Sequence, residues 1–157
     1  DHWKEIRILY ASIEAGEKKV KSRAGMKKTV ATNPVYRHWV EYEEKVMLKR
    51  VVDSVRRRDF EALVKDTVML SNGLHSMMLY TDPRIVYLND TSHRVIDAIL
   101  DLNEDGIKAS YTFDAGPNAI VFTLDKYEDE VRSLLADLVG KDNVVSTRIG
   151  KGAEFIG

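Results

Sequence analysis

The chain has 157 residues and no cysteine, which bounds it to one domain with its own core and excludes disulfides, cysteine metal sites and a cysteine nucleophile. Its formal net charge of −1 argues against a dedicated nucleic-acid binder, whose domain is markedly basic. No apolar run approaches the ~20 residues that cross a bilayer, and Asp1-His2-Trp3-Lys4 is no signal peptide, so the expectation is a globular cytoplasmic protein without a membrane partner.

In chain order, residues 6–13 alternate in part through Ile6, Ile8 and Tyr10 and read as a strand. Residues 14–21 are charged and read as a loop. Lys18, Lys19, Lys21, Arg23, Lys27 and Lys28 make the most basic segment, either a solvated face or an anion site. Ser22 and Arg23 precede Gly25 and Met26, where the chain turns into a short helix. A hydroxyl and a guanidinium at a helix N-terminus suit a phosphate. Asn33-Pro34 predicts the next helix start, with Asn33 as N-cap. Val35, Trp39, Tyr42, Val46, Val52 and Val55 follow at helical spacing and predict a core stripe. Arg56-Arg57-Arg58 ends that helix, where cations suit the dipole.

Asp59 caps a second helix with Phe60, Leu63, Val64, Thr67, Leu70, Leu74 and Met77 on one face, packed antiparallel to the first. Helical spacing places Ser71 or Asn72 on the same side as His75. No second ligand stands at metal spacing, so His75 reads as a hydrogen-bonded helix histidine and no metal is expected. Asp82-Pro83 breaks the helix. Residues 85–88 are extended, and Asn89-Asp90-Thr91-Ser92 opens a third helix with Val95, Ile96, Ile99 and Leu100, ending near Gly106. A strand, a tight turn and a strand follow, with Tyr111-Thr112-Phe113-Asp114-Ala115-Gly116-Pro117-Asn118-Ala119 at the centre. Residues 125–128 have a capping-box-like pattern. The fourth helix carries Val131, Leu134, Leu135 and Leu138 and is capped by Gly140. Residues 144–149 form a strand, and residues 153–156 a short last one. The predicted class is α+β, an antiparallel sheet with helices packed on one face.

Asp114 stands at the exit of a strand. Its residue type and spacing fit a carboxylate that bonds a backbone N–H of its own turn. They also fit a carboxylate presented for chemistry.

The second alternative gains from a resemblance. Thr112 to Ala119, TFDAGPNA, is similar to the C-terminal signature of the diphosphomevalonate decarboxylases of the GHMP kinase superfamily. Ser22-Arg23-Ala24-Gly25-Met26, Arg58-Asp59-Phe60, Ser71-Asn72 with His75, and Ile85-Val86-Tyr87-Leu88-Asn89-Asp90 resemble the same family in order and separation. The likeness covers nearly all of residues 1–157 but only the second half of a family member. It implies a GHMP kinase C-terminal domain, a single unit whose N-terminal ATP-binding half is absent from this chain.

The implied enzyme is an ATP-dependent decarboxylase of the mevalonate pathway. It turns mevalonate 5-diphosphate into isopentenyl diphosphate with carbon dioxide, ADP and phosphate. The resemblance implies Asp114 as the catalytic residue, Ser22 and Arg23 as substrate-binding, and Gly25, Met26, Ser71, His75, Ala115, Gly116 and Asn118 as supporting the site. It implies ATP and Mg2+ bound mainly by the N-terminal half, which joins in cis or as a second chain, and a homodimer of the complete enzyme. This chain alone is expected to be inactive. Relatives acting on mevalonate 5-phosphate or on a mevalonate bisphosphate share much of the pattern, and a non-catalytic binding or assembly module is the reading from another class. Gly73-Leu74, where the pattern has a Gln and an aromatic, and Arg84 after Pro83 depart from the family.

Overall fold

The structure, a computed structural model, describes residues 2–14, 20–150 and 152. Lys18, Lys19 and the strand expected at residues 153–156 lie outside the described residues. Four strands form one antiparallel sheet: β1 (Ile6–Ala11), β2 (Thr112–Phe113), β3 (Ala119–Leu124) and β4 (Val144–Arg148), in the order β2-β3-β1-β4. Leu9 stands opposite Val121 and Ala11 opposite Ala119. The period of two sends Leu9, Ala11, Ala119 and Val121 to one face, where all are fully buried.

Among the described residues six α-helices accompany the sheet: α1 (Ser22–Thr32), α2 (Tyr36–Tyr42), α3 (Leu48–Arg57), α4 (Phe60–Leu79), α5 (Asp90–Leu102) and α6 (Glu128–Val139). Val95 and Ile99 of α5 and Val131 and Leu135 of α6 close the main core over the sheet. This is the expected α+β arrangement. α4 runs along the free edge of β2. At its N-terminal end Phe60 and Val64 meet Trp3 and Ile6 in a second cluster, which takes in Ile8, Phe122 and Leu124 from the opposite sheet face. Among the described residues no helix is long and apolar enough to cross a membrane.

Local signals account for most boundaries. Asp59 accepts from the Ala62 amide to open α4. Asn89 and Ser92 form a reciprocal capping box at α5. Gly140 ends α6 at φ 90°, a conformation that favours glycine.

Other expectations are corrected. Asn33 ends α1 rather than capping the next helix. Its Oδ1 accepts from Val35 N–H, its Nδ2 donates to the Met77 carbonyl, and α2 starts only at Tyr36. The predicted core stripe of the next helix is not core: Val35, Tyr42, Val46, Val52 and Val55 are 36% to 42% exposed. A wide π-type turn at Glu43–Met47 separates α2 from α3. One extra residue in a turn advances the helical phase by about 100°, so the two halves do not present one continuous face. Glu128 closes no capping box; its carboxylate takes Arg7 and Ser146 instead.

The buried stripe of α4 differs as well. It runs Phe60, Val64, Thr67, Ser71, His75 and Met78, while Leu70, Leu74 and Met77 are only partly buried. A helix that hid only apolar groups would turn Leu70 and Leu74 inward. The free edge of β2 reverses that choice.

Candidate functional site

β2 is two residues long and lies at the sheet edge, so among the described residues no strand neighbours its outward backbone groups. A buried amide or carbonyl left without a partner is costly. At Phe113 both outward groups are met by α4. Phe113 N–H donates to Ser71 Oγ at 3.0 Å, and His75 Nε2 lies 3.2 Å from the Phe113 carbonyl. A carbonyl only accepts, so Nε2 carries the proton. The His75 ring also stands edge-on to the Phe113 ring, with centroids 6.3 Å apart. Beside them Tyr111 Oη donates to Asn72 Oδ1 at 3.3 Å. Ser71 and His75 are one helical turn apart, which suits the two polar groups that a strand residue turns to the same side.

Asp114 is the first residue beyond β2. Its carbonyl accepts from Gly116 N–H at 2.8 Å, which closes the turn through the backbone. Ser92 Oγ donates to the Pro117 carbonyl at 2.8 Å and ties the turn to the cap of α5. Asn118 leaves the turn for the far strand. Its Oδ1 accepts from the Ile13 and Glu14 amides, and its Nδ2 donates to Tyr10 Oη and the Glu14 carbonyl. Gly116 and Pro117 are buried and Ala115 half-buried, whereas Asp114 is exposed. Among the described residues no hydrogen bond or ion pair engages the Asp114 carboxylate. The turn is therefore held by other groups, and the carboxylate does not serve as its brace. It acts on its surroundings through charge. Burial pushes His75 below its ordinary value of 6.5, while the Phe113 carbonyl and then the Asp114 charge pull it back up and His93 adds to the lowering.

α1 supplies the second group of expected residues. It opens on Ser22 after Lys21, and Ser22 and Arg23 are both exposed in its first turn. Lys21 gives no side-chain cap. Gly25 is buried against Tyr87 and Ile85, and Met26 is half-buried. Thr29 bonds Thr81 at 2.9 Å and reaches Met78 Sδ at 3.3 Å, which seats α1 on the C-terminal end of α4.

The structure thus sets Ser71 and His75 on Phe113, the residue before Asp114, and places Ala115 and Gly116 in the turn after it, while Asn118 turns to Tyr10, Ile13 and Glu14. It sets Ser22, Arg23, Gly25 and Met26 on a helix carried by the same α4. His75 and Met78, which bear the two groups, are about 4.5 Å apart along the helix axis. No hydrogen bond or ion pair joins α1 to the Asp114 turn among the described residues. Sequence reasoning missed Ser92 as a clamp on Pro117 and Tyr87 as the wall behind Gly25. The capping pattern at Asn89 was the available signal for the first; nothing local signals the second. Among the described residues, one surface hollow lies by Asp105, Lys108 and Tyr127 and another by Trp3, Arg7 and Arg148. Both are at the Leu124 end of β3, roughly 17 Å along the strand from Ala119.

The family described as the mevalonate 5-diphosphate decarboxylase C-terminal domain matches residues 8–154. The diphosphomevalonate decarboxylase of Schizosaccharomyces pombe is 38% identical over 137 residues, 86% of this chain and 35% of that protein. The solved structure of MDDEF in complex with MVAPP superposes with a TM-score of 0.87 at 30% identity, covering 95% of this chain and 46% of that one. A second solved complex, MDDEF with MVAPP, AMPPCP and magnesium, gives a TM-score of 0.83 at 29% identity over 91% of this chain and 43% of that one. The chain spans about a third of the curated relative, 35%, and less than half of each solved one, 46% and 43%.

Proposed function

The chain belongs to the mevalonate 5-diphosphate decarboxylase family as a C-terminal domain, and on that premise we propose that it carries the substrate-orienting, proton-accepting half of an ATP-dependent decarboxylase acting on mevalonate 5-diphosphate. The products are isopentenyl diphosphate, carbon dioxide, ADP and phosphate. One observation carries the reading: an exposed aspartate without a partner among the described residues, on a turn that other groups already hold.

In this reading the Asp114 carboxylate accepts a hydrogen bond from the tertiary 3-hydroxyl and holds it in line for attack. A carboxylate is a far weaker base than an alkoxide, so it does not deprotonate an alcohol in the ground state. It becomes competent when the O–H bond breaks late, as the oxygen acquires its phosphoryl group, so the proton ends on Asp114. Ser22 and Arg23 hold the diphosphate. A guanidinium grips two phosphate oxygens in a fork, and the first turn of α1 adds amide donors.

The nucleotide finds no such fit here. Among the described residues no group of three His, Asp or Glu side chains suits a metal ion, and α1 opens on Lys21-Ser22-Arg23 without the glycines of a phosphate loop. In this reading ATP and Mg2+ are held mainly by an N-terminal half, the complete enzyme is a cytoplasmic homodimer, and this domain does not turn over alone.

The test is Asp114→Asn in the complete two-domain enzyme. Turnover falls by about 10³-fold or more, as expected for a lost acid–base and orienting group, while affinity for mevalonate 5-diphosphate by equilibrium binding stays within about tenfold. Substantial turnover in that variant refutes the role of Asp114. Faster turnover of the 5-phosphate than of the 5-diphosphate moves the substrate assignment and leaves the role intact.

A further inference from the structure

We infer that His75, seconded by Ser71, is a positioning residue for Asp114: from one face of α4 the two side chains grip both outward backbone groups of Phe113 and so set the peptide plane from which the carboxylate departs. The inference rests on the reading of Asp114 just given and names the device that aims it.

Three observations carry it. First, β2 ends at Phe113, with no further ladder bond to steady the next residue. Second, the Phe113 carbonyl gripped by His75 belongs to the same peptide group as the Asp114 amide. Rotation of that plane swings the carboxylate directly. Third, the clasp places two polar side chains in the buried stripe of α4 where partly buried Leu70 and Leu74 stand beside them. Covering an orphaned strand edge explains that choice, since each bond removes a desolvation cost. The imidazole needs a hydrogen on Nε2 in either protonation state, so the grip survives titration. The titratable groups that act on it are Asp114 at the turn and His93 on α5. The Asp114 carbonyl accepts from Gly116 N–H next in the chain, so loosening at Phe113 is transmitted to that bond.

The experiment uses His75→Ala, His75→Gln and Ser71→Ala. Turnover is measured in the complete enzyme, and amide hydrogen exchange at Phe113, Gly116 and Val121 in this chain. Under the proposal His75→Ala lowers kcat 10- to 100-fold with KM within threefold. It also speeds exchange at Gly116 at least tenfold while Val121 in β3 stays protected. His75→Gln, whose amide can still donate to the carbonyl, recovers most of both. Ser71→Ala opens the Phe113 amide selectively. Gly116 exchange unchanged in folded His75→Ala overturns the proposal. So does unchanged turnover in His75→Ala where Asp114→Asn is inactive. If exchange opens but neither His75→Ala nor Asp114→Asn affects turnover, the role of Asp114 fails and the clasp stands.

Discussion

At Gly25 the missing β-carbon lets α1 lie against Tyr87. A β-carbon there falls well inside contact distance of Tyr87 Oη and 3.5 Å from Ile85 Cδ1. That hydroxyl is buried without a hydrogen-bond partner among the described residues, and burial raises its pKa. Gly25→Ala is therefore expected to destabilise the chain by about 1–3 kcal/mol, the usual scale of overpacking. Tyr87→Phe removes an unsatisfied group and is neutral or stabilises by about 1 kcal/mol. The double variant recovers part of the loss, and urea denaturation of the four proteins checks the cycle. The same helix presents Ser22 and Arg23, so Gly25→Ala also displaces the candidate diphosphate grip. Residue types alone made Gly25 a turn into a helix. That it must be a glycine follows from Tyr87, 62 positions away by numbering.

Among the elements, α3 and α4 show how an antiparallel pair is tied. Asp66 is 1% exposed on α4, and Arg50 of α3 meets it across the helix pair at 2.5 Å. Breaking a buried pair leaves a charge uncompensated, a loss of about 3–5 kcal/mol when both partners are buried. Arg50 is half exposed, at 47%, so water takes up part of the loss. Arg50→Met should thus cost about 2–3 kcal/mol, with Asp66→Asn in the same chain restoring most of it. Equal losses in the single and the double variant would show that the pair is not coupled. Gly73, one of the departures from the family pattern, has a reason at this scale: the Trp39 indole of α2 rests over it, with Nε1 3.0 Å from where a β-carbon would stand. Nothing in the structure explains Arg84.

Across the whole molecule, His75 and Glu128 are two groups whose stabilising contributions are lost in acid. His75 has a folded pKa below its ordinary 6.5. The unfolded chain takes the proton more readily, so this contribution is complete above about pH 6.5 and fades as pH falls from there toward the folded value. Glu128 is lowered from 4.5, first by the Ser146 hydroxyl, against burial, and then by Arg7 and Arg132. Its contribution is complete above about pH 4.5 and is lost as pH falls through its folded value. These two contributions should be lost in separate stages as pH falls, while Glu43, raised from 4.5 by burial, works in the opposite direction. His75→Gln flattens the upper one and Glu128→Gln the lower, read from urea midpoints between pH 7 and pH 3. A single stage unchanged by both variants would contradict these assignments.

The amino-acid order by itself determined what rests on neighbours a few positions apart. The cap at Asp59, the helix start at Asn89 to Ser92, the stop at Gly140, the strands β1 and β3 and the tight turn after Asp114 all depend on local geometry, and all were legible, as was the TFDAGPNA signature. Tertiary structure decided which polar atoms go inside. Ser71 and His75 displaced Leu70 and Leu74 from the buried face of α4 because Phe113, 42 and 38 residues on, had backbone groups to satisfy. Asn118 left its own turn to bind the chain at Ile13 and Glu14, 105 and 104 positions back. Periodicity counts apolar side chains along a segment, but the hydrogen-bonding demand of a buried strand edge comes from another part of the chain and appears only once the two have been folded together.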